Sequence, residues 1–156
     1  MTKRFAVRPV RPRDLDRIEV IEAASFGTDA YDRKLFADYT RVCGGLFLVA
    51  QVGTKVIGYS ITALPARWAG ERAELVSVAV DPAYLGKGAA AAMLESTFRR
   101  LRRRHVTRLA LTVKVTNLRA RAFYDKYGFR KRRRVPAYYE DGEDGILLFK
   151  DLHSTN

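Results

Sequence analysis

The sequence predicts a mixed α/β fold, α+β in the grouping of its elements, built as a mixed sheet with helices on its faces. Three observations predict it. Short runs rich in Val, Ile, Leu and Tyr alternate with segments whose apolar residues recur at helical spacing. Glycines, prolines and polar turn residues fall between the runs rather than inside them. The 156 residues suffice for one core and are few for two, so a single domain over 1–156 is expected.

The elements follow in order. Phe5 to Val10 reads as a short edge strand, ended by Pro9 and Pro12. Arg13 to Ser25 reads as a helix, with Leu15, Ile18 and Ile21 on one face, extended by Glu22, Ala24 and Ser25. After a turn-rich break, Asp32 opens a second helix with Leu35, Phe36 and Tyr39 as its apolar face, closed by Gly44-Gly45. Leu46–Val52 and Val56–Leu64 form a hairpin about Gly53-Thr54-Lys55. A turn at Trp68 to Gly70 precedes a strand at Ala73–Val80, stopped by Asp81-Pro82. The loop Tyr84 to Gly88 then opens a long helix to about Arg104, whose buried stripe is Ala90, Met93, Leu94, Phe98 and Leu101. Arg108–Val113 is a strand. Asn117 caps a helix that ends at Tyr127-Gly128, with Gly128 left-handed. Arg130–Tyr139 and Gly145–Lys150 close the chain as strands around a polar turn.

Composition narrows the class of protein. Hydrophobic residues make up 47% of the chain and are spread throughout, which argues against disorder. No apolar run reaches the roughly 20 residues of a membrane span. The polar start, Met1 to Arg4, does not read as a signal peptide. One cysteine, Cys43, cannot form an internal disulfide, and His105 with His153 offers no metal-ligand spacing, so no metal is expected. A reducing cytoplasm fits. Lys and Arg number 29 against 17 acids, a net charge of +12. That balance favours anionic partners such as nucleic acid, ribosomes or a polyphosphate, or a strongly basic soluble surface.

The chemistry concentrates where a strand, Ala73-Glu-Leu-Val-Ser-Val-Ala-Val80, runs through Asp81-Pro-Ala-Tyr-Leu-Gly-Lys-Gly88 into a helix. A helix start leaves backbone N–H groups without partners and carries a partial positive charge. Gly86 and Gly88 lack a Cβ, so a pyrophosphate can approach the backbone, and the alanines after them keep the entrance small. The loop has neither the Lys-Ser/Thr of a P-loop nor the spacing of a dinucleotide fingerprint.

Leu85-Gly86-Lys87-Gly88-Ala89-Ala90 resembles the Arg/Gln-x-x-Gly-x-Gly/Ala cofactor motif of the GNAT superfamily of N-acetyltransferases. Asn117, followed by Ala122-Phe-Tyr-Asp-Lys-Tyr-Gly-Phe129, is similar to that family's second motif, and Tyr138-Tyr-Glu-Asp-Gly-Glu-Asp144 looks like its RimI-type subgroup, which acetylates protein N-termini. The resemblance implies a mostly antiparallel twisted sheet with helices on both faces, acetyl-CoA as acetyl donor, and a protein or peptide amine, ribosomal included, as acceptor. It implies that Val78 and Val80 hold the pantetheine arm through their backbone, with the Val78 N–H as oxyanion donor. Gly86, Lys87, Gly88, Ala89 and Ala90 would cradle the pyrophosphate, Asn117 would meet the pantetheine, and Tyr124 would be the general acid, its other reading being a core tyrosine on the apolar face of its helix.

Two positions depart from the pattern. Leu85 stands where Arg or Gln is usual, and Thr112 stands where RimI-type enzymes carry a glutamate base. Thr112 cannot take up a proton at neutral pH. Glu74 is the favoured substitute, since Ala73-Glu-Leu-Val76 is similar to the strand glutamate that serves as base in histone acetyltransferases of the superfamily; its other readings are a charge on the solvent face of the strand and a contact to the substrate amine. The alternatives are the same fold acting on a small amine, a lysine or an aminoacyl-RNA, or a catalytically weak basic protein that binds RNA or ribosomes. The runs Arg99 to Arg104 and Arg130 to Arg134, with Lys126, are either solvated surface or nucleic-acid contacts. Phe26, Tyr31 and Trp68 are either acceptor-pocket walls or plain packing, as are Tyr138 and Tyr139, and Cys43 reads as a small buried hydrophobe.

Overall fold

A computed structural model describes residues 5–27, 30, 32–66 and 71–152; Tyr31, Trp68 and His153 therefore lie outside the described residues. The chain runs β1 (Ala6–Pro9), α1 (Leu15–Phe26), α2 (Arg33–Cys43), β2 (Phe47–Val52), β3 (Lys55–Ala63), β4 (Arg72–Val80), α3 (Ala89–Arg103), β5 (Arg108–Lys114), α4 (Leu118–Lys126), β6 (Arg130–Val135) and β7 (Gly145–Asp151). The strands form one sheet in the order β1-β2-β3-β4-β5-β7-β6. Its registered pairs are antiparallel except β4 with β5, which run parallel through Arg72, Ala73 and Glu74. The mixed, mostly antiparallel sheet expected from the sequence is present.

The residues divide into two compact units, Met1–Ala63 with Leu75–Arg100, and Leu64–Glu74 with Leu101–Asn156. In the first unit the faces of β2 and β3 each collect a core. Leu15, Ile18 and Ile21 of α1 and Phe36 of α2 join Phe47, Val49, Tyr59 and Ile61. Ala89 and Met93 of α3 join Ala50, Ile57 and Val80 in a separate cluster. Helices thus cover the strands because each apolar stripe needs a hydrophobic surface to remove from water. Gly58 permits the close approach of α3, since a Cβ there would lie 3.0 Å from Met93 Cε and 3.2 Å from the Ala79 carbonyl. In the second unit β5 alternates cleanly, with Leu109, Leu111 and Val113 buried and Ala110 and Thr112 half-exposed.

Three details differ from the sequence reading. Helix α1 starts at Leu15, after a 3-10 turn over Pro12–Asp14, and buries Glu22 while Ala24 and Ser25 face solvent. Strand β6 stops at Val135 instead of Tyr139. Pro136 has no N–H to give the ladder, Ala137 adopts φ of 49°, and its N–H donates to Asp144 Oδ1 at 2.9 Å. Tyr138 and Tyr139 therefore leave the sheet and stack edge to face, 4.9 Å between centroids.

Buried Ser60 and Thr62 on β3 have hydroxyls without a partner among the described residues. Such a group forfeits its hydration with nothing in return. Thr62→Val should raise stability by about 1 kcal/mol, a gain of about 2–4 °C in Tm for a chain of this size. A thermal melt checks this, and a lowered Tm would mean the hydroxyl is satisfied.

Candidate functional site

The strand-to-helix junction is pinned before it turns. Asp81 Oδ1 accepts from the Ala83 N–H at 3.0 Å, and Asp81 Oδ2 accepts from Arg17 Nη2 at 2.9 Å. The Ala83 N–H, then the Arg17 guanidinium, hold the Asp81 carboxyl below the usual carboxylate range. Arg17 also donates to the Val56 carbonyl at 3.1 Å, and the Asp81 N–H donates to Ile57 O at 2.7 Å.

Beyond this clamp the backbone turns through left-handed conformations at Gly86 (φ 74°) and Gly88 (φ 95°), which side chains disfavour. No atom lies within 4 Å of a Cβ built at either position, so conformation, not crowding, calls for glycine. Helix α3 begins at once, with the Gly88 carbonyl accepting from the Ala92 N–H at 3.0 Å. The N–H groups of Gly86, Lys87, Gly88, Ala89 and Ala90 have no acceptor among the described residues. A row of unpaired donors at the positive end of a helix is suited to a phosphate. Lys87 is exposed beside it. Leu85, at 45% exposure, sets an apolar side chain beside the turn. Val80 is buried and Val78 half-buried, both against the cluster of Ala89 and Met93.

Glu74, Thr112, Asn117 and Tyr124 belong to the other unit. Glu74 is half-buried and makes no ion pair or side-chain hydrogen bond among the described residues. Its register partner is Ala110, one pleat repeat before Thr112 on the same face of β5. Glu74 thus stands one repeat from Thr112, a closeness that no local sequence signal reveals. The Thr112 carbonyl accepts from Tyr139 Oη at 3.2 Å. Asn117 caps α4 by accepting from the Ala120 N–H at 3.1 Å, which leaves its amide NH2 to donate elsewhere. Tyr124 is 7% exposed, with Phe123 and Phe129 edge-on at 5.4 Å each. Burial, with Tyr139 nearby, pushes its phenol far above the ordinary range. Its hydroxyl has no partner among the described residues yet is not sealed from solvent.

The profile of the acetyltransferase (GNAT) family matches residues 13–129. The chain belongs to that family. This GNAT protein is 33% identical to an N-acetyltransferase of Methanocaldococcus jannaschii, over 92% of its own length and 90% of the relative's. It is 30% identical to an N-alpha-acetyltransferase of Saccharolobus solfataricus, over 95% and 93%. The crystal structure of the ribosomal-protein-S18-alanine N-acetyltransferase from Escherichia coli matches with a TM-score of 0.82 at 26% identity, covering 98% of this chain and 97% of that one. The resemblance to RimI-type acetyltransferases is borne out. This GNAT enzyme transfers acetyl groups from acetyl-CoA to an amine.

The other features fall as follows. Cys43 is buried, and burial pushes its thiol up to about 11, so it is a packing residue rather than a nucleophile. Of the cations at the end of α3, Arg100 donates to Ser96 and Gly45, and Arg102 to the Leu152 carbonyl, while Arg103 and Arg104 are exposed. Arg130 to Arg134 are all exposed along β6. A register shift between Lys131 and Arg133 breaks their alternation, and Arg134 pairs with Asp144 at 2.6 Å. Among the described residues no helix is long and apolar enough to cross a membrane.

Proposed function

We propose that this GNAT enzyme acetylates the α-amine of a protein or peptide N-terminus, with 1–156 acting as one catalytic domain. The relatives named for that activity support the acceptor class. The row of unpaired N–H groups from Gly86 to Ala90 carries the donor side, because it offers the pyrophosphate of acetyl-CoA several donors at a positive helix end. Lys87 adds the cation that Leu85 does not. Asn117 donates to the pantetheine through the amide left free by its cap.

The reaction needs a neutral amine and a stabilised oxyanion. Glu74 accepts the ammonium proton, directly or through a water. The freed lone pair attacks the thioester carbonyl, and the N–H of Val78 stabilises the oxyanion. Collapse breaks the C–S bond, Tyr124 donates its proton to the departing thiolate, and the acylated nitrogen sheds its second proton, which restores the Tyr124 phenol directly or through water. A cytoplasmic setting suits a chain with one buried, unreactive cysteine.

A thiol-release assay with acetyl-CoA tests the acceptor class against unblocked peptides, the same peptides α-acetylated, free lysine and small amines. Turnover confined to unblocked peptides supports the reading. Turnover of lysine or small amines alone overturns it.

The cradle has its own test. Acetyl-CoA should raise Tm, because a ligand that binds only the folded state stabilises it. Gly88→Asp should abolish that shift by setting a carboxylate against the pyrophosphate. Gly88→Ala separates charge from strain: it should lower the ligand-free Tm through the positive φ yet keep part of the shift. An undiminished shift in Gly88→Asp would remove the cradle from this turn.

A further inference from the structure

A buried polar chain crosses the core of the first unit. Glu22 of α1 is 2% exposed, and Tyr59 of β3 is fully buried. Tyr59 Oη donates to Glu22 Oε1 and lies 3.1 Å from Ser77 Oγ of β4. The Tyr59 ring cannot drift, since Phe36 stands edge-on at 5.5 Å and Phe47 packs at 6.3 Å. Ser77 is half-buried, so the chain starts in the core and ends at a partly open face.

The direction of the chain follows from proton counting. Glu22 Oε1 accepts from the Tyr59 hydroxyl. The single phenolic proton of Tyr59 is committed to Glu22, so Tyr59 offers only lone pairs to Ser77. Ser77 must therefore donate its own proton inward. Its remaining lone pair then faces away from Tyr59, polarised through the hydrogen bonds that run inward to Glu22. A hydroxyl fixed in that sense favours a cationic donor.

Ser77 also sits at a break in the strand pattern. Val76 packs against the cluster that contains Tyr59, and the next residue, Ser77, bonds Tyr59 itself. Adjacent residues of a regular strand face opposite ways. Val76 and Ser77 thus both meet one cluster, a departure from that alternation. The residue that follows is Val78.

We propose that Ser77 Oγ accepts a hydrogen bond from the incoming protonated amine of the acceptor, and that Tyr59 and Glu22 are positioning residues that fix its polarity. This deepens the N-terminal acetylation reading and rests on it. Ser77 seats the ammonium, and Glu74 remains the group that removes its proton.

The test is steady-state kinetics on the full chain, with acetyl-CoA and unblocked peptides beginning with alanine, serine or methionine. A matched peptide whose α-amine is replaced by hydrogen serves as inhibitor. Ser77→Ala keeps the Tyr59–Glu22 bond and should fold normally. It should raise the peptide KM by about 10- to 100-fold, the range for a hydrogen bond to a charged group. The acetyl-CoA KM should stay within about twofold, a difference smaller than one ordinary hydrogen bond. Inhibition by the amine-free peptide should not change. Ser77→Thr, which keeps a hydroxyl, should recover most of the loss. Tyr59→Phe keeps the ring and should move the peptide KM in the same direction as Ser77→Ala. A purely structural role would shift both KM values and the inhibitor together, and that result overturns the proposal. So does an unchanged peptide KM in Ser77→Ala while the unmodified enzyme turns over normally. If the unmodified enzyme acetylates none of the peptides, the acceptor reading falls first and the proposal with it.

Discussion

Glu74→Gln should lower turnover by about 100- to 10,000-fold, the usual range for loss of a general base. Glutamine keeps the shape and the hydrogen-bonding capacity but cannot take a proton. Folding should be unaffected, since Glu74 makes no ion pair among the described residues. Acetyl-CoA should still raise Tm, because the groups assigned to it lie in Val78, Val80 and the Gly86–Ala90 turn. Raising the pH should rescue part of the loss. An α-amine has an ordinary pKa of about 8, so above that value most acceptor is already neutral and needs no base. Rate profiles from about pH 6 to 10, spanning that ordinary amine value, decide the matter. Full activity across the range would mean that water or another group deprotonates the amine. The restoring experiment is Glu74→Gln combined with Thr112→Glu, which puts a carboxylate one pleat repeat away on the same face of the sheet.

Tyr124→Phe should reduce turnover by about 10- to 100-fold, the worth of one hydrogen bond to a developing charge. The loss is expected to be smaller than at Glu74 because a thiolate leaves readily even unaided. The ring contacts with Phe123 and Phe129 survive in phenylalanine, and the hydroxyl has no partner among the described residues to lose, so Tm should hold. High pH should not rescue this variant, since the missing group serves the leaving thiolate rather than the amine. Burial raises the Tyr124 phenol, which therefore keeps its proton well above its ordinary ionisation at about pH 10. In the unmodified enzyme, then, ionisation of Tyr124 should cause no loss of rate as the pH rises to that value. An alkaline fall centred below pH 9, shared by both forms, would have another origin. Equal activity in Tyr124→Phe would leave the tyrosine as a packing residue.

Much of this architecture could be read along the chain because it is decided by near neighbours. Asp32 accepts from the Leu35 N–H and Asn117 from Ala120, each cap acting within three residues of itself. Gly86, Gly88 and Gly128 stand at positive φ where a turn or a helix end requires it. The donor-binding turn is local in the same way. What escaped the sequence depends on partners far along the chain. The closeness of Glu74 to the Thr112 position is a matter of β4–β5 register, 36 residues apart for the pair Glu74 and Ala110. Tyr59 reaches Glu22 across 37 residues and Ser77 across 18. A glutamate on the apolar stripe of α1 was the available hint, but its partner is chosen by packing. In sequence the arginines before Pro136 and the tyrosines after it look like one continuous strand, whereas β6 ends at Val135, where the next residue lacks a donor for the ladder.

The two end strands of the sheet bear on how the protein behaves in concentrated solution. Strand β1 carries Pro9, which withholds a donor from any chain that might extend the sheet there. Strand β6 presents Arg130, Lys131, Arg132, Arg133 and Arg134 in succession, all exposed. A second copy docking its own β6 alongside would bring like charges together over the length of the strand. Mutual repulsion thus guards a row of backbone groups that would otherwise template intermolecular pairing. At about 1 M salt the screening length falls to about 3 Å, and that guard weakens with it. Self-association through this edge should accordingly grow with ionic strength, and dilute buffers should keep the molecules apart.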